Sequence, residues 1–473
     1  ADGRWRLPAT ADQVDPLYRA MLMAYEDKRF ETHHGVDPRA LARGVWQLIS
    51  NGRVVSGGST LTMQVARLLE DGATGEWSGK LRQIRLALAL ERQLTKDEIF
   101  TLYLNLAPMG GNIEGLRAAS LAYFAHEPNR LTPAEAALLI ALPQAPTSRR
   151  PDRFNAAATV ARNRVLARAV EAQIISADDA IAARTTPVPS LRRDFPALAP
   201  HLADALVAGA APGTVIPTTI NATLQAQLQT LLAARAPAFG DRVTAAALVA
   251  DHQTGEILAY VGSSDFFSDP RRGAIDMVQA VRSPGSTLKP LIYGLAFEGG
   301  FAHPETLIDD RPMAFGTYAP QNFDGGFRGE ITVREALQQS LNIPAVALLD
   351  AIGPAHLVAR MRRAGVTAQL PRNTAPDLPI ALGGLGVTLN DMVNIYAAIA
   401  RGGRTAELHT TPGPVALPPT APVLDAAAAW QVGDILWGAP PPAESPIRTL
   451  AFKTGTSYGY RDAWAIGFDG QHV

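Results

Sequence analysis

From residue 13 to about 145 the apolar positions recur at helical spacing: Leu17, Tyr18, Met21, Leu22 and Tyr25, then Leu41, Val45 and Leu48, then Leu81, Ile84 and Leu88. Stripes of that period predict helices. Leu131-Thr132-Pro133-Ala134-Glu135 reads as a helix start, because Thr132 can cap the first amides and proline is tolerated in a first turn; Pro143 ends that helix. Residues 151–215 mix Ala, Arg and Pro, with Pro187, Pro189, Pro196, Pro200 and Pro212 as punctuation, and read as a linker carrying a few helices. The pattern changes near 216. Ala245–Ala250 and Ile257–Val261 are strand-like runs joined by the turn signal Asp251-His-Gln-Thr-Gly-Glu256. Helical stretches are expected over 286–297, 333–350 and 388–401, Pro-rich loops over 412–422 and 439–446, and a strand over 447–457. The pattern therefore predicts a multidomain chain, with a mainly α region over 1–150 and an α+β region over 216–473. No internal repeat is visible.

At 473 residues the chain can form about two to four domains with sizeable cores. Hydrophobic residues at 47% and charged residues at 18% exclude wholesale disorder. A formal net charge of −1 gives no polycation argument for nucleic acid. Cysteine is absent, which rules out disulfides and thiolate metal sites and suits an extracytoplasmic bacterial protein. The nine histidines show no H-E-x-x-H or comparable metal spacing. No apolar run reaches membrane-span length. The chain begins Ala-Asp-Gly without methionine, so a removed anchor or signal is an expectation.

Three short motifs then change the picture: Ser286-Thr-Leu-Lys289, Ser340-Leu-Asn342 and Lys453-Thr454-Gly455, in that order. Each has a bland interpretation. Ser286 after Pro284-Gly285 could merely open a helix, Ser340 and Asn342 could be helix-terminus polar residues before Pro344, and Lys453 could sit on a solvated strand edge. Together they supply a serine acyl-transfer site without histidine. A serine hydroxyl needs a base to take its proton. Lys289, three residues on in a helix, lies one turn away and can be that base if burial or the charge of Lys453 lowers its pKa. Ser340 and Asn342 would complete the proton relay and hold a substrate amide. The strand carrying Lys453, Thr454 and Gly455 offers its edge to an extended peptide, and the Thr456 and Ser286 amides can form an oxyanion hole.

The helical half carries a second polar constellation. Glu26-Asp-Lys-Arg-Phe-Glu-Thr-His-His-Gly35 precedes Gly57-Gly-Ser-Thr-Leu-Thr-Met-Gln64 and Arg67; Lys80, Arg82 and Arg85 follow, then Lys96-Asp-Glu-Ile99 and Tyr103-Leu-Asn105. An acid beside polar loops and a row of cations suits a phosphate-bearing substrate whose leaving group needs charge stabilisation. An acidic helix end followed by solvated basic helices is the plain alternative. The Gly-Gly-Ser-Thr segment lacks the G-K-[ST] ending of a P-loop, so ATPase chemistry is rejected.

E-D-x-x-F-x-x-H-x-G (Glu26, Asp27, Phe30, His33, Gly35), G-G-S-T-L-T-x-Q (with Gly58, Ser59, Thr60 and Gln64) and K-x-x-I-x-x-x-Y-x-N (Lys96 to Asn105) resemble peptidoglycan glycosyltransferase motifs. With the serine trio, known from penicillin-binding proteins and class A β-lactamases, residues from about 14 onward resemble a class A penicillin-binding protein. Met63-Gln-Val-Ala-Arg67 and Lys453 to Gly467 look closest to its 1C branch. The resemblance implies a lysozyme-like glycosyltransferase domain over 1–150 and a penicillin-binding, serine β-lactamase-like transpeptidase domain over 216–473. It implies lipid II and nascent peptidoglycan as substrates, β-lactams as covalent inhibitors, and a single-pass anchor, outside this chain, on the periplasmic side of the inner membrane. Glu26 would deprotonate the acceptor 4-hydroxyl, which requires a pKa raised by burial or by Asp27. Arg67 and Lys80 would steady the pyrophosphate. Ser286 would attack the D-Ala-D-Ala amide.

Two departures from the family pattern stand out. Gln83 occupies a position where the family usually carries glutamate, which removes a second carboxylate and weakens any case for a divalent cation such as Mg2+ there. The sequence also stops soon after Phe468, so the transpeptidase region is expected to be truncated. Two other functions fit the motifs: a glycosyltransferase whose serine domain only binds β-lactams or partners, and a serine carboxypeptidase or β-lactamase.

Overall fold

The computed structural model describes residues 3–40, 42, 58–70, 77–211, 213–371, 374–405, 407–413, 422–442 and 449–473. The helix expected through Leu41, Val45 and Leu48, with Gly57, Pro212 and most of the two Pro-rich loops, lies outside the described residues. The chain divides into two compact units, Ala1–Pro196 and Ala197–Val473.

In the first unit, α1 (Pro16–Glu26) starts where Asp15 accepts a hydrogen bond from the Leu17 amide, and it buries Tyr18, Met21 and Leu22. Its last residue is Glu26, so the helix end delivers that carboxylate to the surface. α2 (Leu61–Leu69) is capped by Thr60. α3 (Trp77–Gln93) packs Ala87 on Met63 and Ala66 of α2, while Leu81 and Leu88 of its apolar stripe stay exposed. α4 (Lys96–Leu106) opens on a reciprocal Thr95–Glu98 cap. A small sheet joins β1 (Trp5–Arg6), β2 (Pro108–Gly110) and β3 (Ile113–Glu114) in the order β1-β3-β2. α5 (Leu116–Phe124) and α6 (Pro133–Ala141) follow. Thr132 caps α6 as expected, and the helix stops before Pro143. Apolar on every side, α6 is the central helix of this core.

Much of the segment 151–215, expected to link two domains, is packed instead. α7 (Asn155–Glu171) and α8 (Ala177–Thr185) bury Ala158, Val165, Leu166, Ala180 and Ala183 in the first core. The fully buried Arg162 guanidinium binds the Arg184 and Thr186 carbonyls at 3.0 and 2.5 Å, satisfying the C-terminal end of α8. α9 (Pro200–Val207) belongs to the second unit, where Leu202 joins the core.

That second unit continues with α10 (Ala222–Arg235) and the antiparallel pair β4 (Ala247–Ala250) and β5 (Ile257–Val261) at the expected hairpin. A 3-10 turn, Gly285–Leu288, runs into α11 (Lys289–Glu298), buried from Lys289 to Phe297. β6 (Leu307–Asp310) pairs with β7 (Gly329–Thr332). The helix expected over 333–350 is broken: α12 (Val333–Gln338) ends, Ser340 turns with φ +59°, and α13 (Asn342–Ile352) begins. A left-handed residue cannot continue an α-helix, so Ser340 is presented on a corner. α14 (Pro354–Arg363), α15 (Leu389–Ala400) and α16 (Ala426–Trp437) complete the helical layer. β8 (Ala451–Thr456) pairs antiparallel with β9 (Ala463–Phe468), Lys453 opposite Ile466. Val473 and Ala250 exchange backbone hydrogen bonds of 2.9 Å, which ties the residues after β9 to β4. The result is a mainly helical unit followed by an α+β unit.

Candidate active sites

In the first unit Glu26 stands in a cavity of about 560 Å³ walled by Asp27, Ser59, Thr60, Gln64, Arg67 and others. Gln64 Nε2 donates to one Glu26 oxygen at 2.9 Å and Gln144 Nε2 to the other at 2.7 Å. Two neutral amides orient the carboxylate without neutralising it. Lys80 of α3 donates to Ser59, and burial followed by nearby Arg67 hold its amine below the usual lysine range. Repulsion between Lys80 and Arg67 would be relieved by an anion bound between them. Arg164 and Arg168 of α7 add two more cations to the wall.

The other motif residues form the frame. Asp27 is buried and accepts from His33 Nε2 and from the Leu61 amide, each at 2.8 Å, pinning the start of α2 beside the end of α1. Thr60 Oγ1 donates to the Gly35 carbonyl at 2.6 Å. Phe30 is buried with the Lys96 ammonium 4.6 Å from its ring centre. Lys96 also donates to the His33 carbonyl and to Glu91, each at 2.7 Å. Glu91, absent from the sequence-derived site, takes a further bond from Thr62 and is the hub of this frame. Asn105 holds the backbone of Ala9 through both ends of its amide. Gly58 leads into the Ser59–Thr60 turn, and half-buried Gln83 lies on α3 outside the cavity wall.

In the second unit the three motifs meet. Ser286 sits in the 3-10 turn and Lys289 begins α11. Lys289 is fully buried, and its amine donates to the Ser340 carbonyl (2.7 Å), the Leu341 carbonyl (3.1 Å) and Asn342 Oδ1 (2.7 Å). Lys453 Nζ donates to Ser340 Oγ at 2.9 Å, and Lys289 Nζ lies 3.5 Å from the same oxygen. Ser340 thus bridges two lysines. Burial, then the charge of Lys453, push Lys289 well below its ordinary pKa, opposed by Asp310; burial brings Lys453 down to about 8. The half-buried Ser286 hydroxyl makes no hydrogen bond among the described residues, and the Lys289 amine is engaged on its Ser340–Asn342 side.

Strand β8 is drawn against the Gly285–Leu288 turn. A Cβ on Gly455 would lie 2.6 Å from the Pro284 carbonyl oxygen and 2.9 Å from the Thr287 amide nitrogen, so only glycine permits this approach. Trp464 of β9 donates to the Ser283 carbonyl at 2.9 Å and Tyr396 of α15 to the Thr287 carbonyl at 2.8 Å. Alternate residues of β8 diverge: Lys453 and Gly455 point inward, Thr454 and Thr456 outward onto an exposed face.

Comparison with known proteins follows the same division. Residues 1–170 match the Transglycosylase family model and residues 245–471 the Penicillin binding protein transpeptidase domain model. Penicillin-binding protein 1C of Escherichia coli is 44% identical over the whole chain, and the chain spans 61% of that relative's length. Penicillin-binding protein 2D of Bacillus subtilis is 30% identical over 96% of this chain and 71% of its own. The crystal structure of penicillin-binding protein 1A from Haemophilus influenzae superposes with TM-score 0.51 at 17% identity, covering all of this chain and 84% of that one, and shares the fold.

Proposed function

The chain belongs to the class A penicillin-binding proteins, and from that premise we propose that it polymerises lipid II into glycan strands and cross-links their stem peptides. The observation that supports this best is that one chain carries both an acid in a cation-walled cavity and a buried lysine pair bridged by serine.

In the first reaction Glu26 takes the proton of the acceptor 4-hydroxyl, whose oxygen attacks the anomeric carbon of the growing strand. The bond to undecaprenyl pyrophosphate breaks with inversion. Arg67 and Lys80 balance the charge that the pyrophosphate carries away. Among the described residues no group of three or more His, Cys, Asp or Glu could hold a metal ion.

In the second reaction Lys289 accepts the Ser286 proton as Oγ adds to the D-Ala-D-Ala carbonyl. The Ser286 and Thr456 amides hold the oxyanion, and the proton reaches the departing D-alanine nitrogen through Ser340. A stem-peptide amine then resolves the ester. β-Lactams acylate the same serine. Lipid II is membrane-borne, so the proposed polymerisation would run at a membrane surface, which we take to be the periplasmic face of the inner membrane. Among the described residues no single helix is long and apolar enough to cross a membrane.

Two variants test the pair of sites. Glu26→Gln abolishes polymer from labelled lipid II yet retains a covalent penicillin adduct, and Ser286→Ala loses the adduct by intact mass. Full polymerisation by the first or a persisting adduct in the second contradicts the assignments.

A further inference from the structure

Behind the Lys289 cluster lies a carboxylate with no exposed surface. Asp310, the last residue of β6, is fully buried and makes no ion pair among the described residues. Its donors are neutral: Asn322 Nδ2 at 2.8 and 2.9 Å from its two oxygens, and the Arg328 backbone amide at 2.8 Å. Burying a carboxylate without a cation is costly, and an apolar or amide side chain would hold a loop with less desolvation. The hydrogen bonds run onward from it. Asn322 Oδ1 accepts from the Asn342 amide at 2.7 Å, Asn342 Nδ2 donates to the Gln321 carbonyl at 2.7 Å, and Asn342 Oδ1 accepts from Lys289 at 2.7 Å. An ionised carboxylate only accepts, so it forces the donor end of the Asn322 amide inward and the oxygen toward Asn342. A neutral amide at position 310 could satisfy either orientation.

We propose that Asp310 and Asn322 are positioning residues for acyl transfer: the carboxylate locks the Asn322 amide, which sets the Ser340–Asn342 corner and through it the Lys289 amine. This rests on the acyl-transfer role of the second unit. The charged groups facing Lys289 are Lys453 from β8 and Asp310 from β6, acting in opposite directions. Tyr293, one turn further along α11, is buried without a hydrogen-bond partner among the described residues, and burial followed by the Asp310 charge keep its hydroxyl protonated. Asp310 therefore sets both where the Lys289 amine sits and at what pH it is free to accept a proton.

The test is the rate of acylation of the purified chain by a fluorescent penicillin, measured against pH, with intact mass and a thermal melt on the same samples. Asp310→Asn should still form the Ser286 adduct, about 10- to 100-fold more slowly. Its acid limb should move to lower pH, because the charge that favours protonated Lys289 is gone. Asn322→Ser should slow acylation with the limb in place, since the carboxylate remains. A folded Asp310→Asn chain with unaltered rate and limb would overturn the proposal. So would a lowered melt with full acylation, or unfolding of both variants, since the pair would then be structural. Failure of the unaltered chain to be acylated at all would remove the acyl-transfer role itself, and the proposal with it.

Discussion

Gly285→Ala adds one carbon at the seam between the turn that carries Ser286 and β8. Gly285 has φ +53°, and a Cβ there would meet the Thr456 carbonyl oxygen at 2.5 Å, its carbon at 2.8 Å and its nitrogen at 3.0 Å. All three are backbone atoms, so no side-chain rotation relieves the contact. The left-handed conformation alone costs alanine about 1–2 kcal/mol. The closest contact is about 0.9 Å short of ordinary contact at 3.4 Å, and crowding of that kind typically adds about 1–3 kcal/mol. A domain of ordinary stability survives that loss. The seam itself must open by nearly an ångström, moving Thr456, and with it the amide proposed to hold the oxyanion, away from Ser286. Misplacement on that scale can cost about 100-fold in rate. Fluorescent-penicillin acylation should therefore slow by about two orders of magnitude in a chain that still melts cooperatively, a few degrees earlier. Acylation at the unaltered rate in a folded variant would refute the reasoning, because β8 would then not need its present distance from the turn.

Penicillin acylation of the unaltered chain should rise with pH and reach half its maximum well below the ordinary lysine value of 10.5, as burial and Lys453 hold Lys289 down. Lys453→Gln removes the second cause, so Lys289 regains basicity and the acid limb should move to higher pH; a limb that stays or falls would contradict the assignment. In the first unit, Lys96→Met removes the lysine paired with the buried Glu91 carboxylate, leaving it the Thr62 hydroxyl, and should lower stability by about 3 kcal/mol in urea unfolding. An unaltered midpoint would show that Glu91 does not depend on Lys96.

The meeting of the Ser286, Ser340 and Lys453 motifs was legible because serine, lysine and asparagine at short spacings point to one chemistry by their identities. The corner at Ser340 was not: the run from Val333 to Asp350 is apolar at helical spacing, and the left-handed break comes from the turn that seats Ser340 between two lysines. Nor were Asp310 and Asn322, which lie 32 and 20 residues before Asn342 in sequence and are linked to its backbone amide only through the fold. Composition misled over 151–215. The buried face of α7 is built largely of alanines with an embedded arginine, so its apolar stripe is faint, and its proximity to Glu26, which adds Arg164 and Arg168 to the cavity wall, is a tertiary fact. Conversely, motif membership did not distinguish Glu26, which faces the cavity, from His33 and Lys96, whose hydrogen bonds turn inward as a frame.

The most direct measurement is one reaction of the purified chain in detergent with labelled lipid II. The polymer is resolved by size and, after muramidase digestion, its muropeptides are examined with and without penicillin. We predict glycan ladders in both samples and cross-linked muropeptides only without the antibiotic. A folded, penicillin-acylated chain that yields no polymer would contradict the account, leaving the Glu26 cavity without a reaction.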